Sequence, residues 1–258
     1  MISNAWTMCP HFLVVLVLIT SGCAGGVTQS PLGRAQVLAL TDQELNERGE
    51  KAFERFKGQS SIEADDAVNR YVGCVFRALI AEAKDPTGIS KWEIVVFRSN
   101  TADVSSWPGG KVAVTTGMLS VARTPGQLAA ALGVSISSLI ARHPNERAST
   151  EFRSRVSSSM VAAVLGTSNP SDRSTPTSTD PVLRLEADTL GQLLMARAGF
   201  NPEESLRLWE DMHRYGGASE SLSTVQRREN LQNNLPESMK LYEAAKRAGK
   251  VPACTAPA

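Results

Sequence analysis

Residues 108–147 read PGGKVAVTTGMLSVARTPGQLAAALGVSISSLIARHPNER, and the central elements of the fold can be predicted from them. The turn Pro108-Gly109-Gly110 precedes an apolar run at 111–115, which predicts a buried strand. A short helix is expected at 117–122, and a proline in the first turn marks a long apolar helix over 125–143. A strand followed directly by two helices indicates a fold that mixes both kinds of element.

Helical patterns continue on both sides of this stretch. Upstream, Thr41 and Glu44 form a capping-box pattern that opens a helix to about 57, and a second helix is expected over 62–83 before a strand at 92–97. Downstream, helices are expected over 181–198, 202–215, 223–234 and 236–248, after a Ser/Thr/Pro-rich flexible loop at about 166–180. The sequence predicts an α+β domain over 41–250, mostly helical around a small sheet, with a tail at 251–258.

Composition excludes several classes of protein. Of the 258 residues, 42% are hydrophobic and 21% are charged, an ordinary balance for a globular chain and not that of a disordered one. A net charge of +1 offers no basic surface for nucleic acid, so no nucleic-acid partner is expected. The apolar runs fall short of the roughly 18 residues of a spanning helix, which excludes a polytopic membrane protein.

The N-terminal stretch has the pattern of an export signal. The apolar run FLVVLVLI at 12–19 is followed by the small residues Thr20-Ser21-Gly22 and then by Cys23. Small residues before a cysteine resemble the lipobox of bacterial lipoproteins, in which the thiol is acylated and becomes the new N-terminus. We therefore expect a signal peptide at 1–22, lipidation of Cys23 and a tether at 23–40; the alternative is a buried N-terminal strand or helix. By this resemblance the protein is anchored in the cell envelope and faces the periplasm, with Ala24 favouring the outer membrane.

The remaining cysteines fit the same compartment. Cys9 would leave with the signal and Cys23 would carry the lipid, so Cys74 and Cys254 are left as one pair in an oxidising space. The sequence therefore predicts a disulfide between them. The alternative is two unrelated thiols.

Two blocks carry a family resemblance. Residues 108–147 resemble the P-G-G turn, strand and H-E-x-x-H helix of a family of zinc metalloproteases, and residues 185–212 (LEADTLGQLLMARAGFNPEESLRLWEDM) resemble its E-x-E-A-D-x-x-G helix. The chain is similar to the bacterial lipoprotein branch of the metalloproteases that include the CAAX prenyl endopeptidases, over about 42–240. The resemblance implies a mostly helical, zincin-like fold with a small β-sheet.

The resemblance also implies that the zinc chemistry is lost. In a gapless match, the family's two zinc-binding histidines, its general base and its third zinc ligand correspond to Val134, Ser138, Ser135 and Arg184. Valine has no donor atom, a neutral serine is a poor ligand and base, and arginine is permanently charged. Of the acidic residues near the third ligand, Asp188 and Glu186 are retained. We therefore expect no catalytic residue, no metal and no cofactor.

These expectations lead to a function and its alternatives. We expect a catalytically inactive, metalloprotease-like envelope lipoprotein that binds or scaffolds unfolded or assembling envelope proteins. The candidate peptide-binding strand comprises Lys111, Val112, Ala113, Val114 and Thr115, with Arg184 offering a cation to an acidic segment. The alternatives are an active metalloendopeptidase with a non-standard site, which would use zinc, and a purely structural lipoprotein. In the structural alternative the strand is core sheet and Arg184 pairs with Asp188 or Glu186.

Overall fold

The computed structural model describes residues 26–165, 180–216 and 222–257 of the chain. The expected signal peptide, Cys23 and nearly all of the expected loop at 166–180 lie outside these residues. The strands are β1 (Gly26–Gln29), β2 (Ala35–Leu38), β3 (Glu93–Phe97), β4 (Val104–Trp107) and β5 (Lys111–Thr115). The helices are α1 (Asp42–Gln59), α2 (Asp66–Glu82), α3 (Thr116–Val121), α4 (Pro125–Ile140), α5 (His143–Leu165), α6 (Pro181–Arg197), α7 (Glu203–Gly216) and α8 (Leu222–Arg247).

The main sheet has three strands in the order β3-β5-β4, with β3 parallel and β4 antiparallel to β5. Successive side chains of a strand point to opposite faces, and here the two faces enter different hydrophobic clusters. Val112 and Val114 join the main core, which includes residues of α2 and α4, whereas Ala113 packs with Phe53 of α1. The sheet therefore lies between α1 on one side and α2 with α4 on the other.

Helix α4 is the centre of the molecule. It contacts α6, α7, α2 and β4, and its side chains Leu128, Leu132 and Ile136 are fully buried. Thr124 caps its start in a capping box with Gln127, and Pro125 occupies the first turn. The α+β fold class predicted from the sequence is confirmed, as is the capping box of Thr41 and Glu44 at α1.

The structure corrects several expected boundaries. The helix expected over 125–143 ends at Ile140, because Arg142 takes a positive φ of 59° and turns the chain into α5. The expected tether at 23–40 instead contains the β1–β2 hairpin, in which Gln36 is buried. The two helices expected over 223–234 and 236–248 form the single helix α8, which contains Pro236. Among the described helices, none combines the length and the apolar character needed to cross a membrane.

The predicted disulfide is present. Cys74 of α2 is bonded to Cys254, and their Cα atoms are 5.6 Å apart. The C-terminal segment after α8 packs against the turn between α6 and α7, where a Cβ on Gly199 would lie 2.1 Å from the carbonyl oxygen of Lys250. This contact and the disulfide hold the tail against the body of the protein.

Candidate functional site

A cleft of about 580 Å³ opens beside the edge strand β4. Its walls come from β4 and the segment before it, and from α3, α4, α5, α6, α7 and α8. Its lining includes Val104, Ser106, Met118, Val134, Ser135, Ser138, His143, Arg147, Arg184, Leu208, Trp209, Met212 and Arg227. The cleft combines apolar side chains with three arginines.

Two glycines set the position of the cleft wall. A Cβ on Gly133 of α4 would lie 2.9 Å from the carbonyl oxygen of Gly191, and one on Gly191 of α6 would lie 2.7 Å from the backbone nitrogen of Val134. The two helices therefore meet backbone to backbone, which requires glycine on both sides. This close crossing brings Val134, the residue after Gly133, next to Gly191 in the middle of α6.

The structure brings the four positions assigned by resemblance to the zinc ligands and the general base into this one cleft. Val134, Ser135 and Ser138 are half-buried on α4, and Arg184 is half-buried on α6. The Ser135 hydroxyl donates to the carbonyl oxygen of Val104 at 3.4 Å, so it is tied to the neighbouring strand.

These four side chains do not fit a zinc ion. A zinc site needs imidazole, thiolate or carboxylate donors, whereas the four positions offer a hydrocarbon, two neutral hydroxyls and a guanidinium. Within residues 26–165, 180–216 and 222–257, no group of three or more His, Cys, Asp or Glu side chains is placed to hold a metal ion. The donor set of the cleft therefore does not support chemistry through a zinc ion.

Asp188 lies under the cleft and holds one of the arginines. Its carboxylate is fully buried and accepts from Nε and Nη2 of Arg227 at 2.7 and 2.6 Å. The guanidinium of Arg227 also stacks on Trp209, with Cζ 3.5 Å from the ring centroid. Burial raises the pKa of Asp188, while hydrogen bonds from Arg227 and the charge of Arg184 oppose that rise. Arg227 is thus fixed in place, and its charge is balanced.

The charges of the other two arginines are not balanced in this way. Arg184 forms no hydrogen bond or ion pair with the described residues, so the expected alternative pairing with Asp188 or Glu186 is wrong. Burial lowers the pKa of Arg184 and the nearby charge of Arg227 lowers it further, against an opposing effect of Asp188. Arg147 is exposed and also lacks an ion pair within the described part of the chain.

Glu186 lies on a different side of α6 from Asp188 and does not line the cleft. Its Oε2 accepts from Arg34, which lies between β1 and β2, at 2.7 Å and is 3.1 Å from Nε2 of His143 in α5. Although burial raises the pKa of Glu186, hydrogen bonds from His143, Ser30 and Arg34 lower it to about 2. The two retained carboxylates therefore belong to separate networks.

The candidate peptide-binding strand was placed wrongly. Lys111, Val112, Ala113, Val114 and Thr115 form β5, which is paired on both sides and offers no free edge. The strand at the cleft is β4 instead. The nitrogen of Thr115 donates to the carbonyl oxygen of Asp103, and because antiparallel pairing alternates, the backbone groups of Val104 and Ser106 point away from β5. The free edge at the cleft therefore belongs to β4.

Sequence reasoning missed three of the side chains that define the cleft. Arg147, Trp209 and Arg227 come from α5, α7 and α8, elements that are distant from one another in the sequence. The one available signal was Asp188 itself, because a carboxylate inside a helix rich in apolar residues requires a cationic or hydrogen-bonding partner. The sequence did not show which of the many arginines would supply it.

Comparison with known proteins shows to which sequences this chain is similar. Residues 66–233 match the sequence profile of peptidase family M48. The mitochondrial metalloendopeptidase OMA1 of Saccharomyces cerevisiae is 31% identical over 199 residues, which cover 66% of this chain and 56% of that protein. OMA1 of Schizosaccharomyces pombe is 31% identical over 157 residues, covering 55% and 43%, and OMA1 of Arabidopsis thaliana is 26% identical over 133 residues, covering 50% and 27%. The chain thus spans about half the length of its yeast relatives.

Proposed function

The chain belongs to peptidase family M48, and from that premise we propose that it is a member without hydrolytic activity, which uses its cleft to bind extended polypeptide. One observation carries the proposal. Val134, Ser135, Ser138 and Arg184 meet in one cleft at the positions assigned to the ligands and base, and none of these residues can bind zinc or act as a base near neutral pH. The protein thus has the fold and the cleft of the family but lacks the side chains that would bind zinc and act as the general base.

The edge of β4 supports the binding role. The backbone groups of Ser106 have no hydrogen-bond partner among the described residues, and they face a cleft that also offers the apolar side chains of Met118, Leu208 and Met212. An extended peptide can add to such an edge through main-chain hydrogen bonds, and the side-chain pockets then select its sequence. None of these contacts depends on a metal.

The test is a metal analysis together with a protease assay. We expect purified protein to hold far less than one zinc per chain and to leave casein and unfolded polypeptides intact, with or without chelator. The control is the fourfold variant Val134→His, Ser135→Glu, Ser138→His and Arg184→Glu, which rebuilds the ligand set on the same backbone and should bind zinc. One tightly held zinc in the wild type, or chelator-sensitive cleavage, would support the active metalloendopeptidase instead.

We also propose that the protein is lipid-anchored at Cys23 in the cell envelope, most simply on the periplasmic side of the outer membrane. The export pattern at 12–23 and the Cys74–Cys254 disulfide, typical of an oxidising compartment, support this location. Cys23→Ala should move the protein from the membrane fraction to the soluble fraction, with Cys9→Ala as the matched control. A variant that stays with the membrane would contradict the anchor.

A further inference from the structure

We propose that Arg184, with Arg147 at the same cleft, binds a carboxylate group of the extended peptide. This inference rests on the proposed function and adds the chemical class of ligand that the cleft selects.

The charges that line the cleft do not balance. Arg147, Arg184 and Arg227 line it, and among the residues that the structure describes only Arg227 has its charge paired, by the buried carboxylate of Asp188. Glu146 and Glu151 attract Arg147 without forming an ion pair with it, and Glu146 is itself bound by Arg34. Asp103 lines the opposite wall and accepts from the Ser105 hydroxyl. The cleft therefore keeps a net positive charge.

Arg184 lies in a position that favours the binding of an anion. It is half-buried in the first turn of α6, where the positive end of the helix dipole adds to its own charge and to that of Arg227. A partly buried guanidinium without a partner is unfavourable, and an anion would relieve that cost. The planar guanidinium also matches a carboxylate in a two-point hydrogen bond.

The surroundings of Arg184 favour an extended peptide over a small anion. The free edge of β4 and the apolar side chains of Leu208 and Met212 line the same cleft as Arg184. A small inorganic anion would use only the arginines, whereas an extended peptide with one carboxylate would use the charge, the edge and the apolar wall together. The carboxylate could belong to an acidic side chain or to a peptide C-terminus, and the test separates these sources.

The probes are labelled extended peptides of about eight residues with alternating Val and Thr. Two are amidated at the C-terminus and differ only in a central Glu or Gln, and the third has the central Gln and a free C-terminus. Fluorescence anisotropy should show that at least one carboxylate peptide binds wild type about tenfold more tightly than the amidated Gln peptide. Which of the two does so identifies the source of the carboxylate.

Substitutions then locate the site. Arg184→Gln should weaken binding of the carboxylate peptide by about tenfold and so remove most of the preference for it, and Arg147→Gln should reduce that preference less. Neither substitution should change the affinity for the amidated Gln peptide by more than about twofold. Arg207→Gln, which removes an exposed arginine of α7 outside the cleft, is the matched control and should leave the preference unchanged. Equal binding of all three peptides to wild type, or a preference that survives both cleft substitutions, would overturn the carboxylate site.

A second readout separates failure of the site from failure of the proposed function. The Nε–Hε resonance of Arg184 should shift in NMR spectra with N-acetylglutamate amide but not with N-acetylglutamine amide. A shift without binding of any peptide would uphold the carboxylate site and reject the peptide-binding function. A shift with inorganic phosphate and none with N-acetylglutamate amide would overturn the assignment to a carboxylate.

Discussion

Glu186 shows how single residues hold the N-terminal hairpin onto the helical body. Its buried carboxylate accepts from Arg34, and the same guanidinium donates to Glu146 of α5, so one arginine joins the hairpin to two helices. The pKa of Glu186 falls to about 2, because these hydrogen bonds and the one from His143 outweigh the effect of burial. The ionised form is therefore favoured by folding.

The stability of the protein should depend on this carboxylate in acid. A pKa lowered from 4.5 to about 2 contributes stability that is present above pH 4.5 and is lost as the pH falls toward 2. Between about pH 6 and pH 3.5, the free energy of unfolding should fall by about 1 kcal/mol more in wild type than in Glu186→Gln, measured by urea denaturation. An identical pH dependence in both proteins would show that Glu186 does not titrate in this range.

Some residues of the candidate site could be predicted from the sequence, and their partners could not. Val134, Ser135, Ser138 and Arg184 could be named because the family resemblance assigns them through a gapless match, and the register of a helix then keeps their relative positions. Their surroundings could not be named. The partner of Asp188 comes from α8, and only the folded chain brings Arg227 to it.

Among the helices and strands, those whose own sequence carries an apolar pattern could be predicted, and the others could not. The predicted strand at 111–115 matches β5, and the expected helices near α1 and α2 are present, because these segments carry an apolar period of their own. β4 was missed because Val104–Trp107 is short and contains two serines, so its pairing with β5 rather than its own pattern makes it a strand. The β1–β2 hairpin was taken for a tether since its composition is that of a linker, although Gln36 and Ser30 are buried against the body.

The crossing of α4 and α6 gives a prediction at this scale. In Gly191→Ala the new Cβ would lie 2.7 Å from the nitrogen of Val134, and the backbones must separate to admit it. We expect a loss of about 1–3 kcal/mol in the free energy of unfolding, despite the better helix propensity of alanine. Chemical denaturation measures this loss.

Gly58 of α1 provides the matched control for that substitution. No atom lies within 4 Å of a Cβ built there, so Gly58→Ala should gain helix propensity without overpacking and leave stability equal or raised by up to about 1 kcal/mol. If both alanine variants were equally stable, the close crossing would not constrain the cleft wall.

At the scale of the whole molecule, a covalent link connects an early helix to the C-terminal tail. The Cys74–Cys254 disulfide joins residues 180 positions apart, linking α2 near the start of the domain to the tail after α8. Between them run the strands β3, β4 and β5 and the helices α3 to α8, which supply the walls of the cleft. A link across that whole span restricts the unfolded chain more than a short loop would.

The final prediction follows from that closure. Cys74→Ser with Cys254→Ser should lower the free energy of unfolding by at most about 5 kcal/mol, the chain-entropy limit for a loop of this length. The melting temperature should fall, and a reducing agent should lower that of wild type toward the same value while leaving the double variant unchanged. Because the tail packs at Gly199 independently of the sulfur atoms, the reduced protein should still fold, with the segment after α8 cleaved first by protease. A wild-type melting temperature that does not respond to reduction, with both thiols shown to be free afterwards, would mean that the fold does not depend on this closure.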